Sequence, residues 1–268
     1  MNDAPPFTVE IADQVAWLTL SRPEKRNAMS FDFFTRLPEH FARFDADPEV
    51  RVVVVAAEGK SFTAGIDLME AGSMLADSSA KGRDGLQRKI MELQQSINAI
   101  ERCRKPVIAA IHGHCVGGGV DLVCACDIRL AAADAIFSIR ETRIAIVADL
   151  GTLQRLPHII GDGHFRELAY TGRDFTATEA LSMGFVNRVL ADQRALREAA
   201  AGLAAEIAAN PPLAVQGVKD VVLYSRAHGV TAGLHYVAQK NAAALPCEDL
   251  MEAVAAFMEK RVPVFKGN

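Results

Sequence analysis

A chain of 268 residues, half of them hydrophobic and 23% charged, is long enough to bury a large core in one or two domains. Its 29 basic and 33 acidic residues leave a net charge of −4 and are spread along the chain, which excludes the basic stripe of a nucleic-acid binder or of a protein held on an anionic membrane. No apolar run approaches the ~20 residues that span a bilayer.

The N-terminal residues 1–7 carry neither a basic patch nor an apolar signal core, and the last four, FKGN, are not a peroxisomal address; a cytoplasmic protein is expected. Residues 9–11 and 15–20 read as a strand hairpin turning at 12–14. A polar loop, SRPEKRN at 21–27, follows. Ser30 then caps an amphipathic helix bearing Phe33, Phe34, Leu37, Phe41 and Phe44, within which Pro38 requires a kink or an interruption. RVVVVAA at 51–57 has the continuous apolar character of a strand buried on both faces.

EGKSFTAGIDL at 58–68 is a loop of small residues. Its Gly59-Lys60-Ser61 mimics the end of a phosphate-binding loop, but position 54, where that motif needs its first glycine, is a valine in the strand. Residues 71–85 are polar and interrupted by Gly72, Gly82 and Gly85, and the expectation there is a solvated loop. Helical periodicity resumes at 86–103 through Ile90, Leu93, Ile97 and Ile100.

The densest stretch is 106–157. A strand-length run at 106–111 meets Gly113 and the Gly117-Gly118-Gly119 turn, which opens an apolar helical segment at 120–126 carrying one acid, Asp121. A second strand-like run at 128–132 leads to two more acids, Glu141 and Asp149, set among Ile, Ala, Val and Leu. A strand feeding a glycine turn and a helix presents unpaired N–H groups where negative charge can be held. With three carboxylates nearby, the pattern points to proton chemistry on a carbonyl compound. Beyond it, helices are expected at 165–170, 178–183, 195–208, 213–225, 230–244 and 248–259, with a short strand at 185–189. Strands and helices alternate first, and helices alone close the chain.

Taken singly, these residues permit blander readings. The glycine triplet is satisfied by a tight turn. Glu141, between Arg140 and Arg143, reads as a surface ion pair, and Asp149, ahead of Gly151-Thr152, as a helix N-cap. A buried Asp121 needs a partner or a task. His112 and His114 alternate on an extended segment and face apart, with no third ligand at a recognisable spacing, so metal is not expected. The five cysteines are loosely spaced among apolar neighbours, as buried reduced thiols are, and Cys124-Ala125-Cys126 sits in a helical run where residues two apart diverge.

Together, SRPEKRNAMS, SFTAGIDL, KPVIAAIHGHCVGGGVDLVCACDIRLAA, LGTLQRLPHIIG, NPPLAVQGVKD and FMEKRVPVF resemble the crotonase (enoyl-CoA hydratase/isomerase) superfamily over essentially the whole length. The resemblance implies an α/β fold, a spiral of ββα units over residues 1–200, with a C-terminal helical trimerisation region at 201–268, the two forming one functional unit. It implies an acyl-CoA thioester as ligand, no cofactor beyond the coenzyme A of the substrate, and a homotrimer or dimer of trimers. It also implies an oxyanion hole from the Ala64 and Gly118 amides. Substrate would be bound by Ala64, Gly65, Ile66, Asp67, Leu68 and Gly118, with Lys25 and Arg26 as secondary candidates for the adenine and phosphates.

Within the superfamily the acids distinguish the reactions. Hydratases use glutamate at the positions of Asp121 and Glu141 and a glycine near Asp149. The spacing here, 20 residues from Asp121 to Glu141 (141 − 121) and 8 more to Asp149 (149 − 141), is similar to that of the Δ3,5-Δ2,4-dienoyl-CoA isomerases. That likeness implies Glu141 and Asp149 as the proton-transfer pair, with Asp121 as a supporting acid, in fatty acid β-oxidation. Enoyl-CoA hydration, another enoyl-CoA isomerisation, and non-catalytic acyl-CoA binding are the alternatives.

Overall fold

The computed structural model describes residues 5–74 and 76–268, so the N-terminal reading at 1–4 and Leu75 of the 71–85 reading lie outside the described residues. Strands β1 (Phe7–Ala12) and β2 (Val15–Leu20) pair antiparallel. Asp13 and Gln14 between them both take positive φ, 49° and 65°, the two-residue turn whose twist matches a hairpin. Helix α1 (Phe31–Ala46) begins where expected: the Ser30 hydroxyl accepts the Phe33 N–H at 3.3 Å. It runs through Pro38 without a break and buries its five predicted apolar residues.

Strand β3 (Val52–Ala57) is buried at every position and splits by alternation. Val53, Val55 and Ala57 face the main core, while Val52, Val54 and Ala56 face a second, smaller one. Then come α2 (Leu68–Met74) and α3 (Ala80–Arg102), which overturn the loop expected at 71–85. Ser79 starts α3 by accepting the Gly82 N–H at 3.0 Å, and the helix reaches back well beyond Leu86. Its first half buries nothing deeply, so the apolar stripe that signals a helix is missing from that part of the sequence.

The spiral follows. Strand β4 (Val107–Ile111) turns sharply into β5 (His114–Val116), and α4 (Gly118–Cys124) leads to β6 (Ile128–Ala132) and β7 (Ile136–Ser138). After α5 (Thr152–Arg155) and α6 (Asp162–Thr171), the chain forms β8 (Asp174–Thr176), α7 (Ala177–Ser182) and β9 (Arg188–Leu190). The six-stranded sheet has the order β1-β2-β3-β4-β6-β9 and the three-stranded sheet β5-β7-β8. The order shows why the fold is a spiral of ββα units: the successive turns β4–β5 and β6–β7 each lay one strand in the large sheet and one in the small. Parallel pairs β4·β6 and β5·β7 stack successive turns, and a parallel bridge from Thr63 to Cys115 adds the preceding turn. Strands β5, β7 and β8 are three residues each, too short for a period-2 signal in the sequence.

Helix α8 (Gln193–Ala208) covers the outer face of the large sheet with Leu196, Ala200, Ala204 and Ala208. Helices α9 (Pro212–His228), α10 (Val230–Ala244) and α11 (Glu248–Glu259) complete the C-terminal region. Lys219 ties α9 to the spiral through Asp127 at 2.7 Å. Large apolar side chains stay exposed on these helices, among them Leu234, Met251, Phe257 and Met258. Cys103, Cys115, Cys124 and Cys126 are buried and Cys247 half-buried, all as free thiols. Among the described residues no helix is long and apolar enough to cross a membrane.

Candidate active site

Two backbone segments set the site. The first is 63–67, after β3. Here the Thr63 N–H donates to His114 O at 2.9 Å, the Ala64 N–H to Arg26 O at 3.0 Å, the Gly65 N–H to the Thr63 hydroxyl at 3.1 Å and the Asp67 N–H to Met29 O at 2.9 Å. Only the Ile66 N–H has no acceptor among the described residues. The second segment is the start of α4, where Gly117 takes φ +56° and donates to Ser138 O at 2.9 Å. Gly118, the first helical residue, has an amide with no intrahelical partner.

The two segments touch. A Cβ on Gly65 would lie 2.7 Å from Val116 O and 3.5 Å from the Gly118 nitrogen, and one on Gly118 would lie 2.7 Å from Met29 Cε and 3.7 Å from the Ile66 nitrogen. Glycine at both positions lets the chains approach, so the open amides of Ile66 and Gly118 stand side by side. The expectation for Ala64 is corrected accordingly: it lines the cavity, but its N–H is already committed to Arg26 O.

A cavity of about 490 Å³ opens over these amides. Ala64, Gly65, Ile66, Leu68 and Gly118 border it, whereas Asp67 does not; its carboxylate accepts the Met69 N–H at 3.1 Å, at the start of α2. Lys25 and Arg26 are solvent-exposed and outside the lining. The walls are largely apolar: Ala71 and Met74 of α2, Leu86 and Ile90 of α3, and Ile146 and Val147 of the segment after β7. The sequence reading places the 71–85 region at the pocket wall, where Ala71 and Met74 lie, but it does not expect Leu86, Ile90, Ile146 or Val147 there. The one available signal was the i, i+4 spacing of Leu86 and Ile90, which continues the stripe of α3 toward its N-terminus.

Asp121, Glu141 and Asp149 all line this cavity. Asp121 lies one turn into α4 and is 1% exposed. Its Oδ1 accepts the Thr152 N–H at 2.6 Å, so it binds the N-terminal end of α5. That is the task the bland reading assigned to Asp149, and it is corrected here: no side chain other than Asp121 caps α5, and Asp149 faces both this cavity and a second one. Burial pushes the Asp121 carboxyl up to about 6 against the bond from Thr152.

Glu141 is no surface ion pair either. Arg140 pairs with Asp174, and Arg143 donates to Thr171 O at 3.2 Å. A Cβ on Gly117 would lie 3.3 Å from Glu141 Oε1, which puts the carboxyl beside the start of α4. Its Oε2 is buried with no hydrogen-bond partner among the described residues. Burial first, then the charge of Asp121, pushes Glu141 up to about 7. Burial also raises Asp149 above the ordinary range of an aspartate. Three carboxyls that burial raises above their ordinary range, on an apolar wall beside two open amides, can exchange protons with a bound carbonyl compound. Among the described residues no cluster of His, Cys, Asp and Glu could hold a metal ion.

Comparison with known proteins gives the same picture along the chain. Residues 10–268 match the family described as Enoyl-CoA hydratase/isomerase. The chain is 49% identical over 253 residues to the peroxisomal Delta(3,5)-Delta(2,4)-dienoyl-CoA isomerase of Arabidopsis thaliana, covering 92% of this chain and 91% of that protein. It is 46% identical over 252 residues to the mitochondrial Delta(3,5)-Delta(2,4)-dienoyl-CoA isomerase of Homo sapiens, covering 92% and 77%. The crystal structure of an enoyl-CoA hydratase from Bacillus anthracis superimposes with a TM-score of 0.91 at 32% identity, over 98% of this chain and all of that one.

Proposed function

The chain belongs to the enoyl-CoA hydratase/isomerase family, the crotonase superfamily, and from that premise we propose that it is a Δ3,5-Δ2,4-dienoyl-CoA isomerase. Its general chemistry is that of the family, on acyl-CoA thioesters. The observation that carries the finer reading is the third acid: Asp149 lines the same apolar cavity as Asp121 and Glu141. Adding water to an enoyl thioester needs two acids that hold the water, and it leaves Asp149 without a task. Two relatives of nearly half-identical sequence bearing that isomerase name support the same choice.

In a 3,5-dienoyl thioester the C2–H bond breaks and its proton goes to a carboxylate. The electron pair spreads over a dienolate from the thioester oxygen to C6. A second carboxyl then protonates C6, leaving double bonds at C2 and C4. The oxyanion is held by the Ile66 and Gly118 amides, each worth ~3–4 kcal/mol to the transition state. Glu141 and Asp149 are the transfer pair; one must be ionised while the other is protonated, a state that close carboxyls in an apolar pocket favour. Asp121 supports them by raising Glu141 and by anchoring the turn that carries Asp149. No redox cofactor or covalent nucleophile enters the sequence of bonds.

The exposed apolar faces of α9–α11 fit a homotrimer or dimer of trimers, with residues 1–200 as core and 201–268 as the helical region. The deciding assay offers 3,5-dienoyl-CoA and follows the absorbance of the 2,4-product. Conversion is expected. Rapid hydration of crotonyl-CoA without dienoyl turnover would replace this reading with a hydratase, and binding of CoA esters without turnover of any would replace it with a non-catalytic binder.

A further inference from the structure

Asp149 has a second face. Behind it lies a separate chamber of about 370 Å³ bordered by Gln94, Asn98, Glu101, Gln154, Arg155 and Arg226, together with Asp149 itself. The two cavities differ in character. The acyl cavity is walled by aliphatic side chains, whereas this chamber is lined by amides and charges. Its back wall is well ordered chemically: Arg155 is 8% exposed and bonds Asn98 Oδ1 at 2.6 Å and Glu101 Oε2 at 2.9 Å. Gln94 Nε2 donates to Asp149 O at 2.7 Å. The outer rim is open, since Gln154 and Arg226 are exposed. Glu141 borders the acyl cavity and not this chamber, and its Oε2 is buried without a hydrogen-bond partner among the described residues.

Each turnover proposed above leaves the transfer pair in the wrong state. The carboxyl that took the proton from C2 is protonated, and the one that protonated C6 is ionised. The pair must be reset, and while an acyl chain fills the apolar cavity that side offers no polar path. We infer that the chamber behind Asp149 is the route by which this acid exchanges its proton with bulk solvent. This rests on the isomerase reading. The chamber has room for a chain of waters, each taking about 30 Å³, with two or more polar partners within reach. The balance closes by one internal transfer: the proton left on the C2 base passes to the carboxyl that protonated C6, which resets both with no net proton taken up or released. Asp149 trades its proton for one from solvent through the chamber either before it gives that proton up or after it receives it. No other co-reactant is needed.

The test uses 3,5-dienoyl-CoA deuterated at C2, turned over in ordinary water, with deuterium at C6 of the product read by mass spectrometry. With the chamber open, the C2 label is lost to solvent and the product C6 carries protium. Gln154→Phe plugs the rim; it should leave kcat and KM little changed, since the pair still resets internally, and raise the C6 deuterium several-fold, because the label now recycles within the pair. Gln154→Ala widens the rim and should leave the C6 deuterium at the wild-type level, separating a plug from the mere loss of glutamine. Asn98→Leu, which removes a polar group from the middle of the chamber, should act as Gln154→Phe does and replaces it if that variant unfolds. Wild-type protein that carries most of the C2 label to C6 overturns the route, as do plugged variants with the wild-type label partition. Wild-type protein that leaves the dienoyl-CoA unconverted overturns the isomerase reading instead, and the route with it.

Discussion

Two of the places where this molecule buries charge are treated in opposite ways. In the spiral's structural core, Lys219 is 7% exposed and its ammonium meets Asp127 at 2.7 Å and the carbonyls of Lys105 and Ile100 at 3.2 and 3.4 Å. Arg129, 6% exposed, donates to the carbonyls of Phe185, Cys126 and Val123. Lys219 places its three N–H donors on these acceptors, and Arg129 places its Nε and Nη1 donors on carbonyls, the matching that buried ions in a stable interior need. At the cavity, Asp121 has the Thr152 amide, and Glu141 leaves one oxygen with nothing. Among the described residues neither acid forms a salt bridge, and the charge of Arg155 only partly offsets the effect of burial on Asp121. The difference separates charge that holds the fold from charge held in reserve: the core compensates its ions, and the site keeps its carboxyls protonatable near neutral pH.

The strongest way to break this contrast is at the acids themselves. Asp149→Asn or Glu141→Gln should lower kcat for 3,5-dienoyl-CoA by ~10³-fold, near the middle of what a positioned acid or base supplies. Thermal unfolding should remain cooperative, since neither carboxylate holds a counter-ion. The same kind of change in the core should do the reverse. Lys219→Met takes the donor away from the Lys105 and Ile100 carbonyls, while the exposed Asp127 keeps the Val107 N–H, and should cost ~1–3 kcal/mol in urea unfolding. Turnover per folded molecule should be little altered.

Between these lies the amide pair. Gly118→Ala would place a methyl 2.7 Å from Met29 Cε and 3.2 Å from Ile66 Cγ1, pushing apart the two open N–H groups. Loss of one donor's alignment should lower kcat by ~10²–10³ while KM for the thioester changes far less. Replacing Ala64, whose N–H is already bonded to Arg26 O, has no comparable leverage on the oxyanion.

The smallest effect concerns pH. Glu141 rises from 4.5 to about 7 in the fold. A carboxyl raised in this way contributes stability that is complete below about 4.5 and is lost as pH climbs through about 7. Glu141→Gln should therefore be more stable than the parent at pH 8, by on the order of 2–3 kcal/mol, and should lose that advantage at pH 4. The rate should fall on both sides of the interval from about 6 to about 7, where Asp121 and Glu141 titrate. Equal stabilities at pH 8 and pH 4 would mean that Glu141 is not held protonated by burial.

Much of the architecture was legible where local physics acts alone. The VVVVAA run needed no context to declare a strand buried on both faces, and Ser30 ahead of a stripe of phenylalanines declared both the start and the inner face of α1. The helices at 230–244 and 248–259 end where periodicity said they would. The region 71–85 misled for the same reason. Its apolar residues face a cavity rather than a packed core, so the stripe was thin and the glycines dominated the reading. The short strands β5, β7 and β8 hold their shape by pairing with strands from other turns, which no window of three residues records.

The sequence by itself determined the layered α/β course, the helical end and the presence of three acids at a telling spacing, because propensity, periodicity and composition are properties of neighbouring residues. Only the tertiary structure decided that those acids share one wall, that Asp121 and not Asp149 binds the start of α5, and that Ile66 rather than Ala64 offers its amide. Whether an N–H is open depends on every carbonyl within reach. The one that takes the Ala64 amide belongs to Arg26, a distant residue that the fold alone brings there.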